Sequence, residues 1–314
     1  MNIVLLESLS VSDEVLQKYI KILEKNGHNF THYERNDDVN LQIERAKNAD
    51  ILMLANMPLK GEVIRACKNL KYINIAFTGV DHVDVKTAKE MGIKLSNASG
   101  YSNDSVAELT LCLMLSLLRK IPQVDTRTRD GKTKDGLVGN ELKGKTIGIV
   151  GTGAIGMAVA KLCHAFGCKI VAFNGFSHKE NTDLITYLPL KEMLEISDIV
   201  TLHCPLTEKS KNLINKEALS YMKKSAILIN AARGGVVDTE ALADCLNNGK
   251  ISGAGIDVFE TEPPLDIDHP LLKTPNTIVT PHIAFATKES MEKRAEIVFE
   301  NLNQFLSGNH VNKV

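Results

Sequence analysis

The sequence predicts an α/β fold of two doubly wound parallel-sheet domains. Three observations predict it. Short apolar runs of strand length alternate with helical stretches almost from end to end, the rhythm of parallel strands joined by crossover helices. The alternation comes in two series, separated by a long helical stretch near 101–121 and a Gly- and charge-rich loop from Asp125 to Lys145. The length, 314 residues, suits two domains of about 100–200 residues each.

In the first series, residues 2–6, 29–33, 51–54, 72–76 and 93–95 read as strands. Helical patterns fall between them near 12–26, 39–48, 60–68 and 84–91. In the long stretch that follows, Val106, Leu109, Leu113 and Leu117 share one face, while Cys112, Met114 and Leu118 cover others. A helix apolar nearly all round is a buried one, expected here between the two domains. Ile121-Pro122 marks its end or a kink. The second series places strands near 145–150, 169–173, 198–203, 226–230, 254–258 and 277–280. Six strands with helices between them is the count of a full dinucleotide-binding fold. Lys288 to Leu306 reads as an amphipathic helix.

Composition narrows the function classes. Lys+Arg is 37 against Asp+Glu 38, so no basic excess exists to grip a nucleic-acid backbone. The apolar run Leu109–Leu118 is broken by Thr110 and Ser116 and falls short of the roughly 20 residues needed to span a bilayer. The start, Met1 to Glu7, has neither the apolar length nor the basic leader of a signal peptide. The six cysteines show no CxxC, and Cys163, His164 and Cys168 have no second ligand pair, so they read as buried thiols rather than a metal site. Reduced thiols without a leader point to the cytoplasm.

The run Gly151-Thr152-Gly153-Ala154-Ile155-Gly156 follows the apolar strand Thr146–Val150 and opens a helix. Gly151 permits the tight turn, Gly153 lets backbone approach a pyrophosphate, and Gly156 lets helix pack on strand. The helix N-terminus presents N–H groups and a positive dipole to the phosphates. This is the Rossmann arrangement for NAD or NADP. An acid usually ends the second strand and binds the ribose hydroxyl. Here that strand ends in Asn174, with Ser177, His178 and Lys179 close behind. Asn can bond a hydroxyl without repelling a 2′-phosphate, so both cofactors stay open.

Three polar residues stand just beyond three strands of the second series: Arg233, Glu262 and His282. The carboxyl ends of strands border the ligand crevice in an open α/β sheet. Each type suits hydride transfer to a 2-keto acid. A planar Arg can hold the substrate carboxylate or the keto oxygen with paired hydrogen bonds. A protonated His can donate to the keto oxygen as hydride arrives at carbon, and take the proton back in reverse. A Glu beside the His favours its charged form and fixes its orientation. No metal is required, because Arg and His carry the developing charge.

The second half resembles the D-isomer-specific 2-hydroxyacid dehydrogenase family. The matching stretches are G-T-G-A-I-G (151–156), L-H-C-P-L-T (202–207), N-A-A-R-G-G-V-V-D (230–238), D-V-F-E-T-E-P-P (257–264) and P-H-I-A (281–284). T-G-V-D-H-V-D (78–84) and S-V-A-E-L (105–109) extend the resemblance over nearly the whole chain. It implies that Arg233 binds substrate, His282 is the acid/base and Glu262 its partner, the family motif placing that acid directly before the first proline rather than at Glu260. It implies cofactor contacts at Ala154, Ile155, Asn174, Cys204, Pro205, Ala231, Ala232, Arg233, Asp257, His282 and Ala284, beside the three glycines. Phe77, Thr78, Gly79 and Tyr101 are the expected substrate contacts. The implied architecture is a flavodoxin-like substrate domain (1–98 plus 287–314, completed by the C-terminal helix) and a Rossmann domain (99–286), commonly paired as homodimers.

Departures from the family pattern shape the substrate expectation. Phosphoglycerate dehydrogenases often carry a basic residue just before the substrate loop, where this chain reads Ile75-Ala76-Phe77. That argues for a non-phosphorylated keto acid, with Phe77 and Tyr101 as an apolar wall. Formate dehydrogenases place Gln where this chain has Glu262. The competing readings are a phosphoglycerate dehydrogenase, disfavoured also because no regulatory domain follows residue 314, and a dinucleotide-sensing, corepressor-like binding protein, disfavoured because the chain carries no disordered tail. No nucleic-acid or membrane partner is expected.

Overall fold

The computed structural model describes residues 1–175 and 179–314. The chain divides into two units, Met1–Ser102 with Ala286–Val314, and Asn103–Phe285.

The first unit holds a five-stranded parallel sheet: β1 (Asn2–Leu5), β2 (Asn29–His32), β3 (Ile51–Leu54), β4 (Tyr72–Ile75) and β5 (Lys94–Asn97). The order is β2-β1-β3-β4-β5, the flavodoxin-like winding. Helices α1 (Asp13–Lys25), α2 (Val39–Ala46), α3 (Gly61–Ala66) and α4 (Val85–Glu90) connect the strands. Central strands read as unbroken apolar runs because both faces are covered. All four residues of β3, Ile-Leu-Met-Leu, are buried, whereas edge strand β2, Asn-Phe-Thr-His, is largely exposed. Each buried Leu or Ile stabilises the fold by about 1.5–3 kcal/mol.

The second unit opens with α5 (Asn103–Arg119) and α6 (Ile121–Arg129). The α6 helix corrects the sequence reading, which placed 125–129 in a loop. Left-handed Lys120 breaks the run, and Pro122 sits in the first turn of a new helix, where a missing N–H costs nothing. The sheet follows: β6 (Thr146–Val150), β7 (Lys169–Phe173), β8 (Thr186–Tyr187), β9 (Ile199–Leu202), β10 (Ile227–Asn230), β11 (Gly253–Ile256) and β12 (Thr277–Val279), with α7 (Ala154–Ala165), α8 (Leu190–Ile196), α9 (Lys216–Tyr221) and α10 (Thr239–Asn247). All pairs are parallel, in the order β12-β11-β10-β9-β6-β7-β8. Sequence reading gave six strands; the seventh is the two-residue edge strand β8. Within this unit α5 packs on the sheet, with Leu113 and Leu117 against Gly255 of β11. Cys163 lies 4.0 Å from the Met114 sulfur, and burial pushes its thiol up to about 12. Among the described residues no helix is long and apolar enough to cross a membrane.

The last helix, α11 (Lys288–Leu306), belongs to the first unit. A reciprocal cap between Thr287 and Ser290 starts it. Its Phe299 stacks on Tyr19 at 4.0 Å and Phe305 on Tyr72 at 4.2 Å. The Asn74 side chain of β4 donates to the Val298 carbonyl.

Candidate active site

The glycine turn joins β6 to α7 at the point where strand order reverses, β9 on one side of β6 and β7 on the other. Gly151 has φ +93, and a side chain there would meet the His203 carbonyl. A Cβ on Gly156 would lie 2.1 Å from the Gly151 carbonyl oxygen, so only glycine lets helix and turn touch. Gly153, at the N-cap of α7, has nothing within 4 Å of its Cβ position, and no side chain caps the helix. Bare backbone N–H groups facing open space suit a pyrophosphate. These residues therefore fit a dinucleotide. Thr152 and Tyr187 of β8 brace the turn at 3.0 Å.

Arg233, Glu262 and His282 follow β10, β11 and β12, three adjacent strands, at the same edge as the glycine turn. The Nδ1 of His282 lies 2.9 and 2.8 Å from the two Glu262 carboxylate oxygens. Nδ1 therefore carries the proton in that bond, and Nε2 is the nitrogen for exchange with substrate. The His282 backbone is left-handed, φ 56, a conformation costing a non-glycine residue about 1–3 kcal/mol. Asp257 holds it there. This fully buried carboxylate accepts from the Thr280 hydroxyl (2.6 Å), the Ile283 N–H (2.8 Å) and the Ala284 N–H (2.9 Å), and its carbonyl accepts the His282 N–H at 2.8 Å. Burial raises the Asp257 pKa, opposed by those hydrogen bonds and by His282. On β10, buried Asn230 bonds both the Ala232 N–H and the Arg233 carbonyl, which shapes the turn that carries Arg233. That turn abuts the Glu262 stretch: a Cβ on Gly234 would lie 1.9 Å from the Phe259 carbonyl carbon.

Residues 111–284 match the family profile described as "D-isomer specific 2-hydroxyacid dehydrogenase, NAD binding domain". The chain belongs to that family. It is an oxidoreductase that interconverts 2-keto and 2-hydroxy acids, and its second unit is an NAD-binding domain. A hydroxypyruvate reductase of Thermotoga maritima is 44% identical over 248 residues, covering 78% of this chain and 80% of its own. A glyoxylate reductase of Thermofilum pendens is 43% identical over 275 residues, covering 84% and 80%. A solved acyclic imino acid reductase, in complex with NADPH and D-Arg, superposes with TM-score 0.91 at 29% identity over the full length of both chains.

The remaining expected contacts of this dehydrogenase are distributed as follows. Ala154 is exposed, and Ile155, Ala231 and Ala232 are half-buried. Cys204 is buried and Pro205 exposed, next to the glycine turn. Asn174 directly follows Phe173, whose carbonyl accepts the Gly151 N–H. Ser177 and His178 lie outside the described residues, and Lys179 is exposed. In the first unit, Phe77 and Tyr101 are both buried, with ring centroids 6.2 Å apart, and the Arg294 guanidinium lies 5.7 Å from the Tyr101 ring. Thr78 and Gly79 are half-buried. Sequence reasoning missed Thr280, Asn230 and Tyr187, whose roles are hydrogen bonds to distant groups and leave no local pattern.

Proposed function

We propose that this dehydrogenase reduces a non-phosphorylated 2-keto acid to its D-2-hydroxy acid, and runs the reverse reaction, with Arg233 holding the substrate and His282, paired with Glu262, moving the proton. The observation that carries this reading is the Glu262 carboxylate on His282 Nδ1 at 2.8–2.9 Å, beside the turn of Arg233. The guanidinium grips the substrate carboxylate or keto oxygen. A reduced nicotinamide dinucleotide held at the Gly151–Gly156 turn would supply the hydride for the keto carbon. His282 gives the Nε2 proton to the keto oxygen as negative charge develops there, and Glu262 stabilises the ring while it is charged. In the reverse direction Nε2 removes the hydroxyl proton.

On the first unit, Phe77, Thr78, Gly79 and Tyr101 are the proposed substrate contacts. The Thr78 hydroxyl supports this, being shut off from water with no hydrogen-bond partner among the described residues. Buried, apolar Ile75 and Phe77 offer nothing to a phosphate. The dinucleotide contacts are Gly151, Gly153, Ala154, Ile155, Gly156, Asn174, Cys204, Pro205, Ala231, Ala232, Arg233, Asp257, His282 and Ala284. We also place the enzyme in the cytoplasm as a homodimer. The α6 helix has no buried residue, and Ile121 (50% exposed) and Val138 (76% exposed) leave apolar surface that a second copy would cover.

The test is a keto-acid panel (glyoxylate, hydroxypyruvate, pyruvate, bulkier aliphatic and aromatic acids, and a phosphorylated keto acid) with NADH and with NADPH, followed by absorbance. Turnover of an unphosphorylated acid is expected. Cofactor binding without turnover of any acid would overturn the proposal. Asn174→Asp is expected to shift preference several-fold toward NADH; an unmoved ratio would remove Asn174 from the ribose site.

A further inference from the structure

The Glu262 side chain is 43% exposed, and residues 257–269 contain no helix or strand. A carboxylate on such a stretch loses orientation to chain entropy unless something ties it down. Asp257 fixes the His282 side of the pair. The Glu262 side has an anchor two residues earlier. One Glu260 oxygen accepts the hydroxyl hydrogen bond of Thr239, the first residue of α10, and the other faces Nε2 of His269 at 3.4 Å. His269 Nδ1 accepts the Leu271 N–H at 3.4 Å, at the start of the 3₁₀ turn Pro270–Lys273. The neutral ring that makes both bonds carries its proton on Nε2, pointing at Glu260. Phe259 meets the same ring edge-on at 5.2 Å and 85°. Phe259 and Glu260 are also the residues whose backbone touches Gly234 in the Arg233 turn.

The site thus has a second Glu–His pair beside the first. It differs from the first in one respect: both nitrogens of His269 are committed to the protein, so it has none to offer a substrate. The other ionisable groups on the elements packed here have their own tasks. Asp238 caps α10, Asp268 pairs with Lys273, Asp266 accepts the Asp268 N–H, and Glu240 is exposed.

We propose that Glu260 is the positioning residue of the proton-transfer pair: by tying its stretch to Thr239 and to neutral His269, it holds Glu262 against His282. This rests on the reading of Glu262 and His282 given above. A Glu262 that swings away leaves the His282 ring without the partner that orients it, so the chemical step slows while cofactor binding does not.

The experiment follows hydroxypyruvate reduction by the full-length enzyme, with binding of reduced cofactor measured by fluorescence. Glu260→Ala is expected to lower kcat by about tenfold, with KM for hydroxypyruvate within about twofold and cofactor affinity unchanged. Glu260→Gln keeps an acceptor oxygen for the Thr239 hydroxyl and loses the one for His269, so a smaller loss than alanine, within about threefold of wild type, is expected. An alanine variant with unchanged kcat, or a glutamine variant as impaired as alanine, would overturn the proposal. If Glu260→Ala does not fold, Thr239→Val removes one tie and must lower kcat with KM held. Glu262→Gln is the control. If it lowers kcat and Glu260→Ala does not, the anchor alone is wrong; if neither lowers it, the proton-transfer reading is wrong and the anchor falls with it.

Discussion

His203 directly follows β9 and His282 follows β12, at the same edge of one parallel sheet. The His203 Nε2 lies 2.9 Å from the Thr201 hydroxyl, and its Nδ1 is shut off from water with no hydrogen-bond partner among the described residues. Burial alone pushes the His203 pKa down to about 4, so the ring is neutral at physiological pH. His282 has a carboxylate on its Nδ1. Both imidazoles stand at the edge of one sheet, and two things separate them: the carboxylate on His282 Nδ1 and the buried Asp257 that accepts the His282 N–H. On the reading proposed above, that difference is what proton transfer requires.

The largest expected effect separates the two rings by rate. His282→Asn is expected to lower kcat by about 10²–10⁴, far more than it weakens cofactor binding, whereas His203→Asn stays within about tenfold of wild type. Comparable losses of kcat in the two variants would end the distinction. Asp257→Asn sharpens it from the backbone side. An amide has one acceptor oxygen where this carboxylate uses two, so a drop of about tenfold in kcat and about 2 kcal/mol in urea-unfolding stability is expected. Unchanged kcat would mean that the left-handed His282 backbone needs no such clamp.

The smallest effect reads the His203 ring by stability. Its folded pKa is depressed, so between about pH 6.5 and 4 the unfolded chain binds the extra proton and folding weakens as pH falls. From pH 7 to 5 this amounts to about 2 kcal/mol. Denaturant unfolding of wild type and His203→Asn at the two pH values should show a shallower pH dependence in the variant; parallel slopes would mean that the ring is not held neutral.

Much of this architecture was legible in the sequence because parallel strands must be apolar on both faces. Runs such as Ile51–Leu54 and Ile227–Asn230 cannot be hidden by side-chain choice. What escaped lacks that signature. The stretch Ile-Pro-Gln-Val-Asp-Thr-Arg-Thr-Arg of α6 buries nothing and shows no apolar period. Strand β8 is two residues long, below any periodicity. At the site, the fall of Arg233, Glu262 and His282 just past strand ends pointed to them, since topology sends those positions to one edge. The family resemblance implied a cofactor contact at Asp257; its hydrogen bonds to Thr280, Ile283 and Ala284, which had no local signature, came only with the structure. Tyr101 was expected as part of an apolar wall at the substrate, and it is 3% exposed beside Phe77 and Arg294.

Helix α11 packs on the sheet that residues 1–102 begin. A ribosome delivers Phe299 and Phe305 only after all of 103–285 has emerged. The body started first therefore waits longest to close, with Tyr19 and Tyr72 lacking their stacking partners, while the cofactor-binding body is a continuous segment able to fold before it.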